Sequence, residues 1–227
     1  MRIGVLALQG DFAEHVAVLK TLGAETTEVR LPAHLEGVGG LIIPGGESTT
    51  IGKLAAHYGL MNALRDFGLS KPIWGTCAGA ILLSRDAHRA QPLLNLMNIT
   101  VARNAFGPQI ASFETHVYVA ALSLVGQDFR PFPAIFIRAP LIDSVSGDAR
   151  ALAALPDGRI VAAQEGHWLA TSFHPELTSD NRFHRYFLAM AAAAAYREQR
   201  HSISGRVPCN IGQCLADPVI FRWGRGA

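Results

Sequence analysis

The chain reads as an α/β protein built on a mainly parallel sheet with helices on both faces. Short, continuous apolar runs recur over residues 2–9, 40–44 and 72–74. Runs without polar alternation suit strands buried on both faces, as crossover helices leave them. Between the runs lie segments whose apolar residues recur at helical spacing.

Each element follows in order. Residues 2–9 form an apolar strand. Residues 11–22 then place Phe12, Val16, Leu19 and Leu22 close to one helical face, and Gly23 ends that helix. Residues 25–30 alternate as a strand does. Gly40-Leu41-Ile42-Ile43-Pro44 is a buried strand, and Ser48 is the expected cap of a helix running to about Tyr58. A further helical stretch leads to Pro72-Ile73-Trp74, another buried strand, and Ala78 to Leu83 begins the next helix. Residues 97–173 differ, with strands expected at 97–102, 115–122, 134–138, 159–164 and 168–173. Glu165-Gly166-His167 is the expected hairpin turn between the last two. Asp180 to about Gln199 is a closing Ala-rich helix. From about Arg200 the periodicity stops. The expected organisation is therefore one domain over 1–199 and an appendage over 200–227.

Composition narrows the function classes. Of 227 residues, 49% are hydrophobic and 17% charged, a globular balance with room for a buried core. A net charge of +2 with scattered arginines does not suit nucleic acid or an anionic membrane. The first apolar run ends at Gln9-Gly10-Asp11 and lacks a signal peptide's longer core and cleavage site. Met190 to Tyr196 is too short to span a bilayer. The expectation is a soluble, cytoplasmic protein. The cysteines, Cys77, Cys209 and Cys214, have no disulfide-framework spacing, and no further metal ligands accompany the last two.

The chemistry concentrates at Trp74-Gly75-Thr76-Cys77-Ala78-Gly79. A strand that turns abruptly into a helix holds its nucleophile in strained geometry, and small residues at positions −2 and +2 let strand and helix approach. Gly75 and Gly79 stand at those positions around Cys77. A helix N-terminus beside the sulfur favours thiolate, and the backbone N–H of Ala78 is aimed where an oxyanion would form. Taken alone, the pattern also suits a buried structural cysteine. His174-Pro175-Glu176 adds a base and a carboxylate that can accept its ring N–H and fix its tautomer. Residues i and i+2 of an extended chain share a face, which would set Glu176 beside His174. Pro44-Gly45-Gly46-Glu47-Ser48-Thr49-Thr50 supplies two glycines after a strand, so that backbone amides can approach a ligand or oxyanion. It lacks the Lys-Ser/Thr ending of a phosphate loop.

Together these segments resemble the class I (triad-type) glutamine amidotransferases. The likeness is narrower toward one branch, the glutaminase subunits of two-component pyridoxal 5′-phosphate synthases. It is carried by Gly4-Val5-Leu6-Ala7-Leu8-Gln9-Gly10, the Gly45-to-Thr50 loop, Gly75-Thr76-Cys77-Ala78-Gly79, Arg103-Asn104-Ala105-Phe106-Gly107, Ser112-Phe113-Glu114, Phe136-Ile137-Arg138-Ala139-Pro140 and Ser172-Phe173-His174-Pro175-Glu176-Leu177-Thr178. It covers about residues 2–197; the tail beyond departs from the family.

The resemblance implies a flavodoxin-like three-layer α/β/α fold and hydrolysis of L-glutamine to glutamate and ammonia. Cys77 would be the nucleophile, His174 the general acid and base, and Glu176 its orienting partner. Substrate contacts would fall to Gly46, Glu47, Ser48, Arg103, Ile137 and Arg138. Gly45, Gly46 and Ala78 would form the oxyanion hole. Gln9 and Gly10 match a region that rearranges when the synthase subunit docks. The resemblance implies no metal or cofactor. Two other readings share parts of this pattern: a glutaminase serving another acceptor, such as the cyclase of histidine biosynthesis, and a catalytically silent subunit of the same fold.

Overall fold

The structure, a computed structural model, describes residues 1–103, 112–126 and 129–203, with side chains described to Arg200. Asn104 to Gly107 of the Arg-Asn-Ala-Phe-Gly segment, Cys209 and Cys214 lie outside the described residues.

The first half alternates as expected. β1 (Arg2–Leu6) leads to α1 (Phe12–Thr21) and β2 (Glu25–Val29). β3 (Gly40–Ile43) is followed by α2 (Ser48–His57) and α3 (Leu60–Ser70), then by β4 (Ile73–Thr76) and α4 (Ala78–Leu83). The second half is richer in strands: β5 (Ser84–Asp86), β6 (Met97–Ala102), β7 (Ser112–Val117), β8 (Phe132–Ile137), β9 (Leu141–Val145), β10 (Arg150–Ala154), β11 (Ile160–Glu165) and β12 (Trp168–Thr171). α5 (Arg182–Ile203) closes the described chain and crosses the boundary expected at 199/200. No helix among the described residues is long and apolar enough to cross a membrane.

The main sheet runs β2-β1-β3-β4-β12-β11-β9-β6-β5, with β10 paired to β11. Its left half, β2 through β12, is parallel. β11 runs antiparallel to β12, β9 and β10. β7 and β8 form a separate antiparallel pair. Three strands were not foreseen: β5, β9 and β10. The strand expected at 115–122 instead spans 112–117, and a short 3-10 turn occupies Ala120–Leu124.

Register explains the layering. Ile42, Trp74 and Leu169 stand opposite one another across β3, β4 and β12. They join one buried cluster with Val16 and Leu19 of α1, Phe132 and Phe136 of β8, and Phe183, Tyr186 and Phe187 of α5. The alternating residues Leu41, Ile43, Ile73 and Ala170 face the other way, onto Ile51 and Ala55 of α2, Leu60 and Leu64 of α3, and α4. Period-two side-chain alternation thus yields two cores from one sheet, the three-layer α/β/α arrangement. In such a fold ligands bind beyond the carboxyl ends of the parallel strands. The ends of β1, β3, β4 and β12 deliver Gln9, Gly45, Cys77 and His174 to that edge.

Candidate active site

Cys77 links β4 to α4 with φ 49° and ψ −105°, a conformation an L-residue rarely adopts. Its N–H donates to the Thr171 carbonyl of β12 at 2.8 Å, so two strands hold the strained residue. The flanking glycines are required. A Cβ on Gly75 would run into the backbone of Gly79, and a Cβ on Gly79 into the carbonyl of Ile43. The chain can turn this sharply only with small residues at both places, which is the geometry expected of a nucleophile elbow.

His174 follows β12, anchored by its N–H to the carbonyl of Ile135 in β8 at 2.8 Å. Its Nδ1 pairs with Glu176 Oε1 at 2.7 Å, and both side chains are buried. The route differs from the expected extended chain. Pro175–Leu177 forms a 3-10 turn, and His174 itself has φ −105° and ψ 85°. Glu176 therefore curls back onto the imidazole instead of lying two residues along a strand.

The electrostatics follow. Burial opposes charge on His174, but its interactions with Cys77 and Glu176 outweigh that and raise it to about 10. Burial pushes the Glu176 carboxyl up, against the pull of His174. With Nδ1 committed to Glu176, the buried Nε2 of His174 is the nitrogen left to face the sulfur. Asp11 Oδ2 adds a second carboxylate 3.4 Å from Nδ1. Asp11, His174 and Glu176 bring three donor atoms within 4.8 Å of one another, and the histidine's own pairings account for that cluster.

The glycine loop lies against the same histidine. A Cβ on Gly45 would collide with the His174 ring, and one on Gly10 with the Gly45 carbonyl oxygen. Gly46 has φ 149° and Gly10 φ 98°, both glycine conformations. Gln9 Oε1 accepts the Glu47 N–H at 2.7 Å, and Asp11 N–H donates to the Gly45 carbonyl at 3.2 Å. Gln9 and Gly10 are thus seated on the loop expected to supply the oxyanion hole.

One capping assignment changes. Glu47, not Ser48, caps α2: its carboxylate accepts from the N–H groups of Thr49 and Thr50, while Ser48 is the first helical residue. A carboxylate fits this place because it offers two acceptors to the helix's positive end. Burial opposes its charge, but bonds from Thr50, Thr49 and Arg103 outweigh that and bring it down to about 2. Arg103 reaches the same carboxylate at 2.8 Å and the Thr49 hydroxyl at 3.0 Å. Gln91, a residue the sequence did not single out, accepts from the Ser48 and Thr49 hydroxyls at 3.3 and 3.4 Å.

The structure thus brings together Cys77, Ala78, His174 and Glu176, with Gln9, Gly10, Gly45, Gly46, Glu47, Ser48 and Arg103 beside them. Ile137 and Arg138 stand at the end of β8, whose Ile135 anchors His174. Arg138 has φ 43°. No hydrogen bond or ion pair among the described residues ties Ile137 or Arg138 to the triad.

Comparison with known proteins places the chain in a family. A pyridoxal 5′-phosphate synthase subunit PdxT of Roseiflexus sp. (strain RS-1) is 55% identical over 194 residues, covering 84% of this chain and 100% of the relative. One from Dehalococcoides mccartyi is 54% identical over 195 residues, covering 84% and 97%. A crystal structure of a glutamine amidotransferase superposes with TM-score 0.76 at 47% identity, covering 83% of this chain and 98% of that one. The model of the SNO glutamine amidotransferase family matches residues 5–193, and the chain belongs to that family.

Proposed function

We propose that this chain is the cytoplasmic glutaminase subunit of a pyridoxal 5′-phosphate synthase. The observation that carries it is the buried His174, bonded through Nδ1 to Glu176 and raised to about 10 beside the strained Cys77. A charged imidazole beside a sulfur favours thiolate, the form that attacks. The two relatives above, matched over nearly their full lengths, supply the pathway.

The thiolate of Cys77 adds to the side-chain amide carbon of L-glutamine, and the carbonyl oxygen takes up the negative charge. Backbone N–H groups from Gly45, Gly46 and Ala78 receive that charge. His174 Nε2 gives its proton to the amide nitrogen, the C–N bond breaks, and ammonia leaves with a glutamyl thioester on Cys77. Nε2, now bare, takes a proton from water. The resulting hydroxide adds to the thioester, the C–S bond breaks, and glutamate departs with the thiolate–imidazolium pair restored. Glu176 keeps Nδ1 protonated throughout. Gly46, Glu47, Ser48, Arg103, Ile137 and Arg138 hold the amino-acid end, where the α-carboxylate needs a cation and the α-ammonium needs carboxylate or carbonyl acceptors. Ammonia passes to the synthase subunit away from bulk water, which would protonate it and remove its nucleophilicity. The glutaminase unit is assigned to residues 1–199, with α5 running on to Ile203.

The test is glutamate release from L-glutamine by the purified chain, with and without the synthase subunit. Stimulation by the synthase and loss of turnover in Cys77→Ala are expected. Full activity without the synthase would point to a self-sufficient amidohydrolase. Near-wild-type turnover in Cys77→Ala would remove the nucleophile.

A further inference from the structure

A strap outside both glycine-rich motifs closes over the start of α2. It joins β5 to β6, and Arg65 of α3 pins it by donating to the carbonyls of Leu93 and Leu94 at 2.8 and 3.3 Å. The Leu94 N–H donates to the Leu82 carbonyl of α4 at 2.7 Å, and its side chain joins the buried cluster of α2, α3 and α4. Pro92 lies against Gly52 of α2, where a Cβ would meet it at 3.0 Å. The strap is thus fixed to three helices, and it delivers Gln91 to the first turn of α2. There Gln91 Oε1 lies 3.3 Å from the Ser48 hydroxyl, 3.4 Å from that of Thr49 and 3.5 Å from Arg103 Nη1. These distances are long for hydrogen bonds, as befits one acceptor with two lone pairs shared among three donors.

The direction of each bond follows from the one group that can only donate. Arg103 has only protons to give, so Thr49 Oγ1, 3.0 Å from Nη1, accepts there. The hydroxyl's single proton is then left to turn to Gln91 Oε1. The reverse setting of the amide would bring its NH2 against the guanidinium, donor against donor. The setting that avoids this leaves Gln91 Nε2 buried with no partner among the described residues. A buried unpaired N–H costs free energy, and an apolar side chain of the same length would carry no such cost. What the amide adds at this place is its carbonyl.

We infer that Gln91 is a positioning residue for the amino-acid end of glutamine: its carbonyl holds the hydroxyl proton of Thr49, so that Thr49 accepts from Arg103 and the guanidinium keeps one orientation. The inference rests on the glutaminase reading above. Glu47 Oε1 holds Arg103 Nη2 at 2.8 Å, while Thr49 and Gln91 face Nη1. A guanidinium held at both nitrogens has lost its side-chain freedom before an α-carboxylate arrives, so binding loses less entropy. Without the carbonyl at position 91, the Thr49 hydroxyl is free to swing its proton toward Nη1, donor against donor. Among the described residues no hydrogen bond ties Gln91 to Cys77, His174 or Glu176, so its effect falls on binding and not on the bond-breaking steps.

The test reads glutamine binding through Cys77. In the complex with the synthase subunit, Cys77 is alkylated by iodoacetamide under rising L-glutamine, with the Cys77 peptide mapped, and KM and kcat are measured in parallel. Gln91→Met keeps the length without the acceptor. It is expected to raise the half-protecting glutamine concentration and KM roughly fivefold, with kcat within about twofold of wild type. Its thermal melt is expected at or above that of wild type, because the unpaired N–H is gone. Thr49→Val removes the same relay at its other end, so the double variant is expected to lose less than the product of the two single losses. Equal protection of wild type and Gln91→Met overturns the inference, as does a double variant whose loss equals that product. A lower melt with kcat falling as far as kcat/KM also overturns it, since that marks a merely structural side chain. If glutamine does not protect wild-type Cys77 at all, the glutaminase reading itself fails and takes the inference with it.

Discussion

Cys77 holds its sulfur at the cost of its backbone, and that strain is measurable. A non-glycine residue at φ 49° and ψ −105° costs on the order of 1–3 kcal/mol, which the surrounding strands must hold in place. Glycine adopts these angles freely, though it loses about 0.5–1 kcal/mol elsewhere through chain entropy. Cys77→Gly is therefore expected to unfold at a temperature equal to or above that of Cys77→Ala in a thermal melt. A Cys77→Gly melt lower by the several degrees that about 1 kcal/mol implies would show the elbow to be relaxed. Cys77, His174 and Glu176 were legible in the sequence because small residues and close spacing announce them. Glu47 as cap was not, since Ser48 offers the same service and only the placed backbone decides. The buried pair of His15 and His184 was not legible either: the two stand 169 residues apart, and each alone sits on an ordinary helix.

Elements meet most tightly where β4 turns into α4. A methyl group on Gly79 has no space, because the obstacle is the Ile43 carbonyl on the neighbouring strand β3 and not a side chain that can rotate away. Gly79→Ala must move α4 off the sheet or displace β3. It is expected to cost more than about 2 kcal/mol in denaturant unfolding and to abolish alkylation selectivity at Cys77. Gly158→Ala is the control, since nothing lies within 4 Å of a Cβ there and only its φ of 87° opposes the change. Equal costs at the two sites would sink the close-approach account. The parallel strands β1, β3 and β4 were legible because burial on both faces leaves an unbroken apolar run. β5, β9 and β10 were not. β5 is a three-residue polar strand at the sheet's edge, β9 carries Asp143 and Ser144 at exposed positions, and β10 pairs through two register shifts. Such strands are set by their neighbours' hydrogen bonds and leave little pattern of their own.

At the scale of the molecule, two cores clamp one sheet, and the cluster that includes α1 and α5 also encloses two neutral histidines. That makes the whole fold sensitive to mild acid. His184 is held down at about 3, and His15 well below its ordinary 6.5, both chiefly by burial. In the unfolded chain both titrate near 6.5. Between about pH 6.5 and 3 the unfolded state therefore binds protons that the folded state refuses, so stability falls as pH falls through this window. His174, raised to about 10, works in the other direction: the unfolded chain completes its protonation only as pH falls past 6.5, which offsets roughly a few tenths of a kcal/mol of the loss. Ordinary carboxylates begin to contribute only nearer pH 4.5, whereas Glu176, pushed up by burial, takes its proton more readily in the fold and offsets part of the loss. The interval from pH 6.5 to 5 thus reads chiefly the buried neutral histidines, with a smaller share from His167, which burial also lowers. Each fully buried neutral histidine is expected to remove roughly 1–2 kcal/mol of unfolding free energy across that interval. His184→Phe keeps the ring packed against Trp74 and deletes one titrating group, so its stability should fall by about 1–2 kcal/mol less than wild type's. Urea unfolding at pH 6.5 and pH 5 reads this directly. Equal losses in the two proteins would mean that His184 is already protonated in the fold, and that the core around Trp74 admits enough water to solvate the charge.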